Sequence, residues 1–263
     1  MNYLRNMVTL TPFAPESTRP EPIEGPALPW NPSPSDTILV RSYLVHLKLP
    51  TELALTIIDY AQYYPIVRGH RDEELKVVAS NYKGNSAAAL YVVSEPIPAI
   101  ENGERIKRKT VKFKVRSRDQ GWGGEHGCPG TYNGSFTWFE ASILRPSGSA
   151  KVTFIPLNMI ISPRPTSSSL ERYHVSLAAP SNTPNDPVWH IQRNMCASPQ
   201  ERTYEVEWRD GSTFDPLPGS GDGQGFCETL QPGDRIAIWA RALYPGWENH
   251  VKEVGVEVLL EID

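Results

Sequence analysis

Apolar and polar residues alternate along most of the chain beyond residue 73. In the stretch VKFKVRS, residues 111–117, Val, Phe and Val alternate with Lys, Lys and Arg, which is the period of two expected for a β-strand with one buried face. The same kind of pattern predicts ten strands, at residues 75–80, 88–94, 110–116, 135–144, 151–155, 172–177, 188–194, 203–209, 235–242 and 254–261.

Clusters of Gly, Pro, Ser and Asn separate these ten segments, and no helical pattern lies between them. Strands that follow one another without intervening helices pair into antiparallel sheets, and two such sheets pack face to face to bury their apolar sides. We therefore predict a mainly β protein, an antiparallel β-sandwich of the jelly-roll type.

A good helical signal is found once, just before the strands. Pro50 stands near the start of the stretch LPTELALTIIDYA, in which Leu53, Ile57, Ile58 and Ala61 recur at helical spacing. The following sequence YYP ends the pattern. We predict a short N-terminal helical segment here.

The first 35 residues differ in composition from the rest. Residues 11–35 contain eight prolines, which lack the amide donor and fix φ, so this stretch predicts neither a helix nor a central strand. We divide the chain into a Pro-rich arm or linker at 1–35, a helical segment at 36–66 and a β-sandwich domain at 67–263.

Length, charge and cysteine content exclude several classes of protein. The 263 residues suffice for one large β domain with a substantial core. A net charge of −4 without a long basic run argues against nucleic acid and membrane surfaces as partners. Three widely spaced cysteines are not a disulfide framework. Neither a signal peptide nor a membrane-spanning stretch is recognised, so we expect a cytoplasmic protein.

Sequence motifs for metal, nucleotide or acid–base chemistry are weak. His126 and Cys128 have no second pair at zinc-like spacing, so we expect no metal and no cofactor. Cys196 is interpreted as a small buried apolar residue, and the glycine-rich run 219–225 precedes no helix that could face a phosphate. Nothing pairs the acidic residues near predicted loops as glycoside hydrolysis requires; they are Glu125, Glu140, Glu228 and Glu248.

Aromatic residues are the remaining chemical signal. Trp122 and Trp247 each follow a glycine in a turn, in the similar sequences RDQGWGG and LYPGWEN, which could lie at one end of a sandwich. Large rings in such turns either line a ligand site or plug the core, and both alternatives stay open. In SFTWFEASIL, Phe136 and Trp138 share one face of a predicted strand, opposite Phe139.

Two sets of residues resemble known families. LPTELALTIIDYA resembles the opening of an F-box, the helical module that docks ubiquitin-ligase adaptors. CPGTYNGSFTWFEASILRP and YPGWENHVKEVGVEVLLEI resemble the jelly-roll domains of sugar-recognising ligase subunits and of plant phloem-type lectins. The stretches DQGWGGEHGCPGTYNGSFTWFEA, WHIQRNMCAS and LQPGDRIAIWARALYPGWENHV are similar to a group of fungal proteins over about residues 45–260. Because strand patterning begins near residue 75, we interpret the helical segment as an F-box-like remnant.

These resemblances imply two different functions. Sandwich proteins of fungal biosynthesis include cyclases, so the first expectation is a cofactor-independent pericyclase, of Diels–Alder type, acting on a polyunsaturated secondary metabolite. Holding the reacting groups in register would contribute up to ~7–11 kcal/mol, and a hydrogen-bond donor to a substrate carbonyl would add to this. The alternative is a non-catalytic F-box-type module that binds a glycan or protein through its loop end, with a ubiquitin-ligase adaptor as partner.

Under the cyclase expectation, several residues near the predicted loops receive roles. Arg193, Arg241 and Tyr244 are the candidate catalytic donors to a small-molecule substrate. The candidate substrate-binding residues are Trp122, Tyr132, Trp138, Trp189, Trp239, Trp247 and His250.

Overall fold

A computed structural model describes residues 30–100, 104–148, 155–180, 186–211 and 216–262 of the chain. Most of the predicted Pro-rich arm, residues 1–29, and nearly all of the strand predicted at 151–155 lie outside these ranges. The chain divides into two compact units, residues 1–30 and residues 31–263. Within the first unit, the structure describes Trp30.

Two helices precede the strands. α1, Pro34–His46, begins with a capping box, in which the Ser33 hydroxyl accepts from the backbone N–H of Asp36 and the Asp36 carboxylate accepts from the backbone N–H of Ser33. Pro34 stands at the start of this helix, where its missing N–H has no intrahelical partner to lose. α1 therefore includes residues 34 and 35, the last two residues of the Pro-rich segment in which no helix was predicted. α2, Thr51–Tyr60, is the predicted helix.

Both helices leave much of their apolar surface in contact with solvent. Ala54 and Ile58 of α2 are buried, whereas Tyr60 is 93% exposed and Leu47, at the end of α1, is 72% exposed. Further exposed apolar residues of the two helices are Leu39, Tyr43, Val45, Leu53 and Ile57. Among the residues described, no helix has the length and apolar character needed to cross a bilayer.

The strands form two antiparallel sheets, as predicted for a β-sandwich. The front sheet has the order β1-β11-β4-β9, with β2 also paired to β11; its strands are β1 (Ile66–Arg71), β2 (Leu75–Val78), β4 (Ile106–Arg118), β9 (Arg202–Arg209) and β11 (Glu248–Ile262). The back sheet has the order β6-β3-β10-β5-β7, with β8 also paired to β5; its strands are β3 (Ser86–Val93), β5 (Thr137–Pro146), β6 (Ile160–Ile161), β7 (Val175–Ala178), β8 (Trp189–Arg193) and β10 (Arg235–Leu243).

The order of the eight principal strands is that of a jelly roll. β1-β11-β4-β9 faces β3-β10-β5-β8, so the first and last strands are neighbours and the connections cross between the sheets, except the one from β5 to β8. Four connections consequently emerge at the same end of the sandwich, which we call the loop end: residues 72–85, 119–136, 194–201 and 244–247.

The main core lies between the two sheets and includes a cluster of aromatic rings. The centroids of Phe113 and Trp208 are 4.6 Å apart, and those of Trp208 and Phe226 4.9 Å. Phe226 is supplied by a short helix, α4 (Phe226–Thr229). The alternation in VKFKVRS is confirmed, since its Val and Phe residues are buried in this core and its Lys residues are exposed.

A second apolar cluster covers the outer face of the back sheet. Trp239 and Leu90, on adjacent strands, are fully buried against residues 155–177, a segment that includes the short helix α3 (Ser167–Leu170). Both faces of β10 are therefore buried in its central part. Phe139 lies in the main core while Trp138 occupies the opposite face of β5, as the sequence predicts.

Several elements differ from the sequence prediction. The short helices α3 and α4 lie where no helix was predicted, and α4 directly follows the glycine-rich run 219–225. β1 and β6 were not predicted, and β11 begins at Glu248, six residues before the predicted strand at 254–261. The strand predicted at 172–177 begins as a 3₁₀ turn, Glu171–Tyr173, and becomes β7 only at Val175.

Candidate functional site

Backbone hydrogen bonds join the four connections of the loop end in two pairs, 72–85 with 244–247 and 119–136 with 194–201. The N–H of Tyr244 donates to the carbonyl of Asn85 at 2.7 Å, and the N–H of Cys196 donates to the carbonyl of Thr131 at 2.7 Å. The carbonyl of Trp247 accepts from Ala79 at 3.1 Å. Because loops held in this way lose little entropy on binding, the loop end is a preformed surface.

An aromatic platform stands on this surface, formed by Trp122, Phe136, Tyr244 and Trp247. The Phe136 ring meets the ring of Tyr244 edge to face at a centroid distance of 4.6 Å, and that of Trp247 at 5.2 Å. Trp122 lies over Gly246, with its Cη2 atom 3.1 Å from the position that a Cβ would occupy. Trp122 is 62% exposed and Tyr244 49% exposed, whereas Trp247 is buried beneath them.

The backbone at Tyr244 is strained. Its φ is +70°, a left-handed conformation that is costly for any residue other than glycine. The turn is held by a hydrogen bond from the Gly246 N–H to the Ser80 hydroxyl at 3.0 Å. This conformation fixes the Tyr244 side chain on the outer surface of the platform. Strain of this kind is concentrated at binding and catalytic sites.

A buried polar network lies under the platform and links the two sheets. Asn194 accepts from the Ser117 hydroxyl at 2.6 Å and donates to Thr137 Oγ1 at 2.9 Å and to Asn249 Oδ1 at 3.0 Å. The amide of Asn249 donates in turn to the carbonyls of Trp138 and Arg241, both at 3.0 Å. Such a satisfied network rigidifies its surroundings. This network was not predicted, although polar residues at inward strand positions are its signal in the sequence.

A buried carboxylate joins two of the connections. Asp119, at the end of β4, accepts from the backbone N–H groups of Gly121 at 2.8 Å, Ala197 at 2.6 Å and Ser198 at 3.0 Å. Burial raises the pKa of Asp119 above its ordinary value, and the three hydrogen bonds oppose that shift. The 119–136 and 194–201 connections are thereby held side by side.

A polar groove of about 290 Å³ runs along the outer face of the front sheet beside the loop end. His250 on β11 lies opposite Lys76 on β2 and Arg118 on β4. Burial lowers the pKa of His250, the nearby Arg118 charge lowers it further, and Glu248 opposes both. The groove is lined by Glu74, Leu75, Lys76, Arg118, Glu201, His250, Val251 and Lys252.

The predicted site residues divide among different parts of the molecule. Trp122, Tyr244 and Trp247 belong to the platform, and His250 belongs to the polar groove. Tyr132 packs against Tyr204, with their centroids 6.3 Å apart. The two Gly-Trp turns do lie side by side, since Trp122 contacts Gly246.

Two predicted pocket residues are core residues instead. Trp189 is buried with its ring centroid 4.9 Å from that of Phe226, and its indole N–H donates to the carbonyl of Gln224 at 2.9 Å. Trp239 is completely buried and donates to the Ser142 hydroxyl at 2.8 Å. A strand whose two faces are both covered leaves a large ring no route to solvent.

Arg241, Trp138 and Arg193 form one row across β10, β5 and β8, on the outer face of the back sheet. The Arg241 guanidinium pairs with Glu140 at 2.6 Å and lies 5.0 Å from the Trp138 ring centroid. It also donates to the carbonyls of Pro163 and Ala87. The guanidinium is engaged by the protein through all three of its nitrogen atoms, so it holds the covering segment in place.

Arg193 is exposed and bonds within the same region. One of its guanidinium nitrogens donates to the carbonyl of Ser135 at 3.0 Å. In the next row of the sheet His190 lies opposite Glu140. Burial lowers the pKa of His190, and its Nε2 atom is 3.0 Å from the Gly219 carbonyl oxygen.

Cys196 and Cys227 show no sign of reactivity. Cys196 is fully buried, as the sequence predicts, and burial raises its pKa to about 11. Burial raises the pKa of Cys227 to about 12. These shifts disfavour the reactive thiolate. Within the described ranges, no three His, Cys, Asp or Glu residues are grouped so as to hold a metal ion.

Comparison with known proteins gives little support for any assignment. No protein-family model matches this chain, and no curated protein matches it. Among solved structures it is similar to the infectious bursal disease virus Gt strain, with 9% identity, 73% of this chain and 40% of that chain covered, and a TM-score of 0.16. The Gx strain structure gives 10% identity, 73% and 41% coverage, and a TM-score of 0.09. This chain spans about two fifths of those chains, and neither similarity carries an argument.

Proposed function

We propose that this protein is a carbohydrate-binding module that recognises a glycan through the aromatic platform. The observation that supports this most is the exposure of Trp122 and Tyr244 on a preformed surface, where neither ring is needed to fill the core. Exposed aromatic rings offer a large, rigid contact area at low entropic cost. The C–H groups of a sugar ring pack on such a face, while its hydroxyl groups bond to the polar residues around it.

The surroundings of the platform favour a glycan over a protein partner. A stable protein interface buries about 800 Å² on each side and has an apolar centre. Here two separate rings stand beside a groove lined mainly by charged side chains. Small apolar faces flanked by hydrogen-bonding groups match the alternating character of a sugar.

The direct test is binding of oligosaccharides to the full chain by isothermal titration calorimetry. A panel of manno-, chito-, cello- and xylo-oligosaccharides should contain a ligand, and Trp122→Ala should weaken it by about 10- to 100-fold, since one stacking ring contributes about 1.5–3 kcal/mol. The matched control is Tyr60→Ala, an exposed aromatic residue of α2. It precedes the start of β1, whereas the loop end follows the end of β1, and the variant should leave the affinity unchanged.

Two results would overturn the proposal. One is a panel in which no oligosaccharide binds the unmodified protein. The other combines two observations. The unmodified protein and Trp122→Ala bind the oligosaccharide with equal affinity, and cross-linking from position 122 captures a protein instead of a glycan.

The two helices supply a reason to keep the adaptor-docking part of the F-box-like expectation. Leu47 exposes a large apolar side chain where α1 ends, and Tyr60 exposes one at the end of α2. Exposed apolar surface of this kind is typical of a binding surface. Mixing the purified chain with a ubiquitin-ligase adaptor should give a complex by size-exclusion chromatography, and Tyr60→Ser with Leu47→Ser should abolish it. Two separate peaks with the unmodified protein would reject this role.

The pericyclase expectation stays a prediction, and the geometry supports it less well. Trp189 and Trp239 are used in the core, and the Arg241 guanidinium is engaged by Glu140 and by backbone carbonyls. Incubation with a polyene metabolite, followed by chromatography and mass spectrometry, tests it. A cyclised isomer of unchanged mass would support the enzyme, and quantitative recovery of the starting polyene would count against it.

A further inference from the structure

Most charged side chains around the polar groove neutralise one another. Carboxylates face the lysines and the histidine at short distances, so these residues form a mixed surface instead of a field of one sign. The ion pairs are Lys252 with Glu74, Lys76 with Glu248 at 3.4 Å, His250 with Glu248 at 3.0 Å, and Arg116 with Glu201 at 2.8 Å.

Arg118 is the exception among these groups. It is half-buried in the groove wall, and its Nη1 atom donates to the backbone carbonyl of Asp119 at 2.9 Å. In the part of the chain that the structure describes, no carboxylate lies within ion-pair distance of its guanidinium. A guanidinium presents two parallel N–H groups that fit a carboxylate. Among the described residues of the groove, the Arg118 guanidinium is therefore a cation without a carboxylate partner.

The groove and the platform form one continuous surface. Gln120 joins them, because its Nε2 donates to the Trp122 carbonyl at 2.7 Å and its Oε1 accepts from the Glu248 N–H at 3.3 Å. His250 follows Trp247 by three residues on an extended strand, which is about 10 Å. A short oligosaccharide stacked on the platform can reach the groove.

We propose that the polar groove is a subsite for a carboxylate-bearing sugar, of the uronic acid type, within the glycan that stacks on the platform. This inference rests on the proposed carbohydrate-binding function. The carboxylate lies against Arg118, near Lys76, and the hydroxyl groups of the sugar ring lie beside the charged side chains of Glu74, His250 and Lys252 that line the groove. A volume of about 290 Å³ suits a single sugar unit, and a single unpaired cation suits a single negative charge.

The test uses glucuronate as the probe and glucose as its neutral counterpart, each titrated into the full chain. Glucuronate should shift the NMR signals of the His250 imidazole, and glucose should not. Arg118→Gln should weaken glucuronate binding by about 10- to 100-fold, since hydrogen bonds to charged groups are worth about 1.5–3 kcal/mol. The matched control is Arg108→Gln, ten residues earlier on the same strand and outside the groove, where Arg108 pairs with Glu261 at 3.4 Å. It should change the affinity less than twofold.

Acetate and sulfate distinguish a sugar subsite from a general anion site. Glucuronate should bind at least tenfold more tightly than either ion, because the ring and its hydroxyl groups add contacts with the side chains that line the groove. Equal affinities for the three anions, or an unchanged affinity in Arg118→Gln, would overturn the proposal.

Failure of this inference can be told apart from failure of the carbohydrate proposal. If neutral oligosaccharides bind through Trp122 but glucuronate leaves the His250 signals unmoved, only the groove assignment is lost. If no neutral oligosaccharide binds and glucuronate still shifts His250 through Arg118, the platform assignment is lost and the groove remains an isolated site, which contradicts a subsite of a longer glycan.

Discussion

Close contact between Gly223 and Trp208 sets a steric limit at the scale of single residues. A Cβ on Gly223 would lie 2.1 Å from Cγ of the indole, and the residue has a φ of +65°. We expect Gly223→Ala to lower the free energy of unfolding by about 2–5 kcal/mol, because overpacking costs roughly 1–3 kcal/mol and the left-handed backbone a further 1–2 kcal/mol. Urea unfolding followed by far-UV circular dichroism measures this.

Gly84 provides the control for the backbone contribution. It has a similar φ of +70°, but no atom lies within 4 Å of the position of its Cβ. Gly84→Ala should therefore cost only about 1–2 kcal/mol. Equal losses in the two variants would mean that the Trp208 ring moves aside freely, and the steric argument would fail.

Exposure separates two tryptophans that the sequence presents as equivalent. Trp122 and Trp247 both follow glycine in a turn, yet Trp122 is largely exposed and Trp247 is buried against Phe136. The turn composition was enough to single out both rings. It could not indicate which one faces solvent, because that depends on Phe136, which is distant in sequence from Trp247 and next to it only in the folded protein.

At the scale of elements, the Asn194–Asn249 network connects strands of the two sheets. Asn249→Ala removes the donor to two backbone carbonyls and the acceptor of one Asn194 hydrogen bond. Unsatisfied buried groups cost about 1–3 kcal/mol each, so we expect a loss of about 2–4 kcal/mol in the free energy of unfolding. Chemical denaturation of the variant checks this value.

Asn133→Ala is the comparison for this network, because Asn133 is an exposed residue of the loop end. Its effect should stay within about 0.5 kcal/mol. A double-mutant cycle of Asn249→Ala with Asn194→Ala should show a coupling of about 0.5–3 kcal/mol. Additive losses would contradict a network that acts as one unit.

The strands that the sequence predicted correctly are those with regular alternation, such as β4 and β9. β1 escaped prediction because Gly69 interrupts it, where the backbone of Ser94 leaves no room for a side chain: a Cβ would lie 2.8 Å from the Ser94 Cα. The start of β11 was missed because Asn249 occupies an inward position. A polar residue there looks exposed in the sequence, and only its partners explain its burial.

At the scale of the whole molecule, two half-buried histidines make stability depend on pH. Burial lowers the pKa values of His190 and His250 below the ordinary value of 6.5. The unfolded chain takes up protons near that pH while the folded protein takes them up only at lower pH. The stabilisation is therefore complete above about pH 6.5 and is lost as the pH falls towards the folded-state pKa values.

Urea unfolding at a series of pH values from about 7 to 5 should accordingly show a falling free energy of unfolding. His190→Gln keeps a donor near the Gly219 carbonyl but cannot be protonated, so its curve should fall less steeply. Asp119 works in the opposite direction, since its raised pKa favours the folded state as the pH falls. An identical pH dependence in His190→Gln and the unmodified protein would exclude His190 as a cause.

The jelly-roll topology determines which parts of this protein can change in sequence without changing the fold. Each of the four connections at the loop end starts and finishes on strands that are already paired with other strands, so its length and composition are largely independent of the framework. Randomising Glu125, His126 and Pro245, while keeping the glycines of the loop, Asp119 and Asn249, should yield a library whose members share one framework and differ in ligand. The loop end is a replaceable part, and the same scaffold can be given new specificities one turn at a time.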